Sequence, residues 1–306
     1  MIGHYIALIK RELWEHRSIF ITPVAIASIV TLGTLMALML AGEFQEELDL
    51  AIFGAQNVAG EVERRAFLTA FFSGTSSLFL FGLGILTIFY ALDSLYAERK
   101  DKSILFWRSL PVTDAETVVS KLLTAMIVIP AVAIAGIILT HLLNLVITSI
   151  WVASKGANAG VLIWGSVPFF DNWMATILVI YAGAIWMSPF LGWLLFVSAW
   201  TKRAPFMVAF LPLVLVTLLE GIFLRSTHFA DAVWARGPQI PLFQAGIDAE
   251  AYFDEESIHL SEEMVSLLAH IDLGRFLSSI DTWIGLIVCG ILTTAAIYVR
   301  RYRDDS

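Results

Sequence analysis

Long apolar runs alternate with short charged islands along this chain, and the spacing predicts six membrane-spanning helices. The runs cover residues 19 to 41, 69 to 92, 120 to 150, 174 to 200, 204 to 224 and 282 to 299. Each is close to the ~20 residues that a helix needs to cross a bilayer. Phe71 to Leu92 is almost free of charge, and Leu122 to Val152 has His141 as its only ionisable group. The island between them, residues 98 to 116, therefore lies in a loop, 93 to 121, that returns the chain to the same face of the membrane. Within it Ile104, Leu105 and Leu110 give a short helix an apolar surface, and Pro111 ends that helix. Thr113, followed three residues later by Glu116, forms a capping box that starts the next helix.

Residues 1 to 17 predict an interfacial helix, with Ile2, Ile6, Ile9 and Leu13 on one face and His4, Arg11 and Glu15 opposite. The apolar run from Ile19 to Ala41 exceeds the 7 to 15 residues of a signal-peptide core, which argues against a cleaved leader. Hydrophobic residues make up 58% of the chain and charged residues 15%. Ordinary soluble domains carry roughly 25% charged residues, so composition excludes that class. An even number of spans puts both termini on one side. Of the 19 Lys and Arg residues, 13 fall at the N-terminus, in the 93 to 121 loop, at Lys202-Arg203 and in the tail. The positive-inside rule makes that side cytoplasmic. The acidic surplus lies on the other side, in Glu43 to Asp49, Glu61, Glu63 and Asp248 to Glu263, so the net charge of -8 points to no nucleic-acid partner. The single cysteine, Cys289, permits no intrachain disulfide.

The loop resembles that of the permease subunits of ABC-2 type transporters, where a Glu-containing motif, a coupling helix and a Pro-bearing turn lie between the second and third spans. Glu98, the Ser103 to Leu110 helix, and Leu110-Pro111 followed by Asp114 match those features. The chain departs from the family at Lys102 and Ser103, where a small residue, commonly Gly, is usual, and at Ser120-Lys121, where Gly-Lys is usual. The resemblance implies an all-α polytopic membrane protein, a single permease domain over 1–306. It begins with an elbow helix and carries an outer helical region before the last span, residues 225 to 281 here. It further implies a dimer of identical or similar permease chains in a bacterial inner membrane, exporting a substrate. A separate ATPase, which holds ATP and magnesium, docks on the cytoplasmic loop. Ile104, Leu105 and Trp107 are then expected to form the apolar foot of that docking, and Glu98, Arg99 and Arg108 to fix its orientation. Pro111 and Asp114 complete the turn.

No phosphate-binding loop, nucleophile elbow or His-Glu-x-x-His motif occurs, so an enzyme in its own right is not expected. His228, His259 and His270 lack metal-ligand spacing, and no cofactor is expected in this chain. Polar groups inside a membrane each need a reason. His141, Asn144 and Thr148 share one face of the third span, and Thr217 and Glu220 form a second pair near the end of the fifth. They are candidates to line a translocation path; the competing reading is interhelical hydrogen bonding, with Glu220 paired to Arg225 or reaching for the interface. Pro130 and Pro212 are expected to kink their helices, while Gly82, Gly84, Ser188 and Gly192 allow close packing. In the outer region Ser261, with Glu262 and Glu263, predicts a helix running to His270, striped by Met264, Leu267, Leu268 and Ile271. Phe276 to Ile280 form a second short piece. Two other classes of function fit the same pattern: an ion- or proton-coupled carrier using Glu220 and His141 as relay groups, and a membrane anchor or sensor that binds a partner through its outer loop.

Overall fold

The computed structural model describes residues 2–41, 61–109, 111–165, 167–234, 236–237, 239–243 and 266–302. Among them the chain is helical, apart from turns and one isolated bridge between Phe243 and Ile271. Six helices are long and apolar enough to cross a membrane. The expected helix start at Ser261, with Glu262, Glu263 and Met264, lies outside the described residues, as do Glu43 to Asp49, Leu110 and His259.

Helix α1, Ile2–Glu15, leads into the first span α2, Ser18–Ala41. The side it turns into the protein differs from the apolar stripe expected to rest on the membrane. Leu8 and Glu12 point into the protein, while Ile6 and Trp14 are exposed. Rotating the helix this way satisfies a buried carboxylate and leaves the bulky side chains for lipid.

The second span α3, Glu61–Ser94, continues after one turn residue as α4, Tyr96–Lys100. The interruption has a local cause. Ser198 Oγ accepts from both Leu95 N and Tyr96 N, at 3.1 and 3.0 Å, taking the place of a helix carbonyl. A five-residue helix α5, Ile104–Arg108, follows. The Thr113–Glu116 capping box then opens α6, Asp114–Leu123. The non-helical part of the return is thus much shorter than 93 to 121, since both flanking helices run into it. A π turn at Thr124–Val128 joins α6 to α7, Ile129–Ser154, so Pro130 produces a widened turn just before itself.

The fourth apolar run is two helices, α8, Phe169–Trp186, and α9, Ser188–Trp200, rather than a single span over 174 to 200. Pro189 has no N–H to give the preceding turn, which breaks the helix at Met187. Helix α10, Pro205–Leu219, contains Pro212 and ends in a π turn, Glu220–Leu224. The chain then reverses into α11, His228–Trp234, which lies back along α10. Helix α12, Leu273–Ser278, covers the expected Phe276 piece and precedes the last span α13, Ile280–Tyr302.

The core is divided among the spans. Its largest cluster joins Ala91 and Leu92 of α3 and Leu95 of the following turn to Leu194, Leu195 and Val197 of α9 and Ala296 of α13. The expected small residues differ in what they do. A Cβ on Gly192 would meet the Cys289 Cα at 3.0 Å, and one on Gly82 would meet Ile26 Cδ1 at 2.4 Å, whereas Gly84 has open space around it. Gly192 therefore sets the approach of α9 to α13. Gly192→Val is expected to lower stability in detergent by about 1–3 kcal/mol through overpacking, with Gly84→Ala neutral or stabilising, as read by thermal unfolding of the two variants in parallel.

Candidate functional site: an ion cluster beneath the short helix

At one end of the bundle, called the near end, four helices bring ionisable side chains out of water together. Glu98 from α4 is almost wholly buried. It accepts from Arg11 Nη2 of α1 at 3.0 Å and from Arg300 Nη1 of α13 at 2.6 Å, and it pairs with Lys121 Nζ of α6 at 3.0 Å. Glu12 of α1 is fully buried and lies beside it. Both its oxygens accept from Lys121 Nζ, at 2.8 and 3.0 Å, while Arg11 Nη2 donates to it at 2.6 Å and Tyr90 Oη at 3.0 Å. Arg300 Nε also donates to Asp114 Oδ1 at 2.9 Å. Three cations, Arg11, Lys121 and Arg300, thus face three carboxylates, Glu12, Glu98 and Asp114.

The balance of charge is what allows the burial. Bare carboxylates and cations lose several kcal/mol each on leaving water, and only close, multiply bonded partners offset this. Burial alone pushes the Glu12 carboxyl up, but Lys121 and Arg11 outweigh it and hold the group below the usual carboxylate range. Burial also lowers the His16 imidazole, which keeps that ring neutral at neutral pH. The group Glu12, Glu15 and His16 has metal-ligand spacing, but Glu12 is already occupied by two cations.

Arg99, next to Glu98, turns the other way. Its Nη2 donates to the Ser198 carbonyl and, at 2.8 Å, to the Thr201 carbonyl at the end of α9. The Glu98-Arg99 pair therefore bonds to α1, α6, α13 and α9. Helix α5 sits over this junction with Ile104 buried beneath it. Ile104 belongs to this chain's core and cannot be part of an outward foot. Leu105 is 66% exposed and Phe106 60% exposed. Trp107 is half-buried, with the Arg11 guanidinium 4.2 Å above its ring. Pro111 is exposed and Asp114 half-buried. Arg108 lies at the end of α5, and its side chain is outside the described residues. The structure thus places Glu98 and Arg99 inside the chain's own network, not on a face open to a partner.

The candidate path residues are also engaged within the chain. His141 is fully buried, stacked on Phe72 at 4.1 Å, and its Nδ1 accepts from Trp173 Nε1 at 3.3 Å. Asn144 Nδ2 donates to the Thr140 carbonyl at 2.8 Å and to Thr31 Oγ1 of the first span at 3.3 Å. Thr148 is half-buried on the same helix. Glu220 neither pairs with Arg225 nor reaches outward. It accepts from Phe229 N at 3.0 Å, Ala230 N at 3.2 Å and Ser226 Oγ at 2.9 Å, capping the start of α11. Thr217 Oγ1 accepts from Trp234 Nε1 at 2.9 Å, so both residues hold α11 against α10.

Sequence reasoning missed Glu12, read Lys121 as a loop cation in the Ser120-Lys121 departure from the family, and read Arg300 as a tail cation. A signal was available, since a carboxylate spaced four residues from Leu8 on the elbow helix and a Lys at the head of an apolar run each require a partner.

Two expectations follow from this geometry. Breaking one side of the buried pair, with Glu12→Gln or Lys121→Met, is expected to destabilise the fold by about 3–5 kcal/mol. The double variant should lose less than the sum. Glu12 has a depressed folded-state value. Its contribution is thus complete above its unfolded pKa of about 4.3 and is lost as pH falls through the folded value. Thermal unfolding across pH should show an acid-side loss in the wild type that is weaker in Glu12→Gln. The second expectation concerns Lys102, whose φ of 57° lies in the left-handed region that glycine adopts freely. Lys102→Gly should stabilise by up to about 1 kcal/mol, whereas Lys100→Gly, within α4, should destabilise by about that amount; the same melts decide it.

A family model described as ABC-2 family transporter protein matches residues 66–232, more than half of the chain. Among curated proteins and solved structures, none matches. The matched region runs from the second span through the short helix and its Glu98-Arg99 junction to α11, leaving Glu12 and Arg300 outside it. Six apolar helices and that match make this chain a membrane permease component belonging to the ABC-2 transporter family.

Proposed function

We propose that this chain is the membrane-spanning permease of an ATP-driven exporter. It works as a dimer of identical or similar chains, with a separate ATPase bound at the near end. ATP and magnesium belong to that partner. The near end is cytoplasmic in this reading, with both termini on that side of a bacterial inner membrane, as the distribution of Lys and Arg supports. The observation that carries the proposal is helix α5, which exposes Leu105 and Phe106 while Ile104 is buried and Trp107 stacks under Arg11 of the ion cluster. An exposed apolar pair on a five-residue helix has little to bind within its own chain, and a groove in a partner would cover it.

Ser103, just before α5, donates to the Glu98 carbonyl at 3.3 Å, so a push on α5 reaches the Glu98-Arg99 pair directly. From there it passes through paired charges to α1, α6 and α13 and through carbonyl bonds to α9. Each helix that the junction grips is, or leads into, a span, so movement of the ATPase would be felt across the bundle as a rigid displacement. The test is capture of the partner ATPase and its hydrolysis. Leu105→Ser/Phe106→Ser is expected to leave the chain inserted and to weaken capture about thirtyfold, the loss of about 2 kcal/mol typical of an interface anchor. Lys155→Ala, at the opposite end, should behave as wild type. Equal capture and equal hydrolysis by all three proteins would remove α5 as the docking element. An ion-driven carrier would instead transport with an ion gradient and no ATPase, and an anchor would do neither.

A further inference from the structure

Away from the ion cluster, toward the other end of the bundle, a cleft of about 700 Å³ opens between α9, α10, α11 and α13. That volume falls within the usual 300–1,000 Å³ of small-molecule sites. Two of its lining residues are prolines, Pro189 at the start of α9 and Pro212 inside α10, and Gly285 contributes no side chain. Its body is apolar, walled by Trp186, Phe190, Trp193, Val216, Ile284 and Val288. Its polar rim consists of Asp231, Arg236, Gln239 and Asp281.

Arg236 is held in a fixed position. Its guanidinium stacks 4.4 Å over the Trp186 ring, Nη1 donates to the Trp186 carbonyl at 2.8 Å, and Nη2 donates to the Asp281 carbonyl at 2.6 Å. Trp186 Nε1 returns a bond of 2.5 Å to the Arg236 carbonyl. A Cβ at Gly285 would come within 2.5 Å of Arg236 Nη1, so the missing side chain there makes the seat for the guanidinium. Among the described residues only carbonyls accept from it, and no carboxylate is in ion-pair contact with it. A guanidinium has five N–H donors, which leaves several for an incoming anion. Asp231 is exposed and accepts from Thr227 Oγ1 at 2.9 Å through one oxygen, and Asp281 is exposed at the head of α13.

A greasy wall with a fixed cation and two exposed carboxylates at its mouth matches a molecule that is apolar at one end and carries both charges at the other. A free phosphate would leave the wall empty, and a purely anionic headgroup would meet two carboxylates for one guanidinium. A quaternary ammonium would have no N–H to donate to either carboxylate. We propose that this cleft binds a phospholipid with a phosphoethanolamine headgroup. The phosphate lies on Arg236, the ammonium toward Asp231 and Asp281, and part of the acyl chain along the wall from Trp186 to Val288.

Binding is a property of this chain alone and needs no ATPase, so its failure leaves the transport reading untouched. The purified full chain is placed in nanodiscs holding equal amounts of phosphatidylethanolamine, phosphatidylglycerol and phosphatidylcholine. Lipid still bound after detergent extraction is then counted by native mass spectrometry. The wild type is expected to retain phosphatidylethanolamine severalfold over the other two. Val288→Trp, which fills the apolar body, should reduce retention about tenfold. Asp231→Asn/Asp281→Asn leaves Arg236 as the only charge at the rim and should reverse the preference toward phosphatidylglycerol. Arg236→Ala should abolish the preference; because Arg236 also ties Trp186 to Asp281, the other two variants decide the matter if it fails to fold. Retention of the three lipids in proportion to supply, or an unchanged lipid profile in both Val288→Trp and the double aspartate variant, would overturn the proposal.

Discussion

A carboxylate taken out of water must bring its counter-charge with it, and the near end of this bundle is arranged around that requirement. Glu98 and Glu12 sit close together inside the protein, where two like charges would repel strongly in a medium less polarisable than water. Lys121 lies between them, bonded to both, with Arg11 on one side and Arg300 on the other. Removing any one of these cations leaves the buried carboxylates one positive partner short of balance. The helices that carry them are therefore fixed relative to each other more strictly than apolar packing alone would fix them, because apolar contact is non-directional and tolerates sliding. The cluster sets register, and the leucine and alanine contacts of α3, α9 and α13 fill the space that register leaves.

The breaks in the long helices follow from equally local causes. Ser198 intercepts the amides at Leu95 and Tyr96 and so turns α4 until Glu98 and Arg99 face different neighbours. Pro189 interrupts the fourth run, and the break at Met187 lets Trp186 and Arg236 interlock by two reciprocal bonds to each other's carbonyls. Glu220 gives up the interface to cap a helix that folds back, with Thr217 one turn earlier holding that helix's last residue. At each place an interruption in one element supplies the polar group that another element lacks.

Local chemistry was the legible part. The spans could be read from length and hydropathy, the capping box at Thr113 and Glu116 from a four-residue pattern, and the tight approach at Gly192 from the absence of a side chain. The break at Met187 was less visible, because hydropathy does not fall across it and only Pro189 marks it. The ion cluster was nearly invisible, since its partners are far apart in the chain: Glu12 lies 109 residues from Lys121, and Glu98 lies 202 residues from Arg300. Periodicity placed the membrane face of α1 along Ile6, which is exposed, but gave no sign that Glu12 turns inward to meet Lys121. His141 and Asn144 could be recognised as facing away from lipid, but which neighbours they meet, Phe72, Trp173 and Thr31, is a matter of tertiary arrangement.

Arg300 is supplied by the last turns of the final span, which gives the cluster an order of assembly. As the chain emerges from the ribosome, Arg11, Glu12, Glu98, Asp114 and Lys121 are all available long before it, and that partial set carries one more negative charge than positive. The excess is cancelled only when α13 has entered the membrane and docked beside α9. A nascent or truncated chain lacking that helix holds an unpaired acid where the finished protein holds a neutral junction. Arrival of α13 is thereby registered electrostatically at the near end, so that a chain lacking that helix holds a differently charged and looser junction than one that has it.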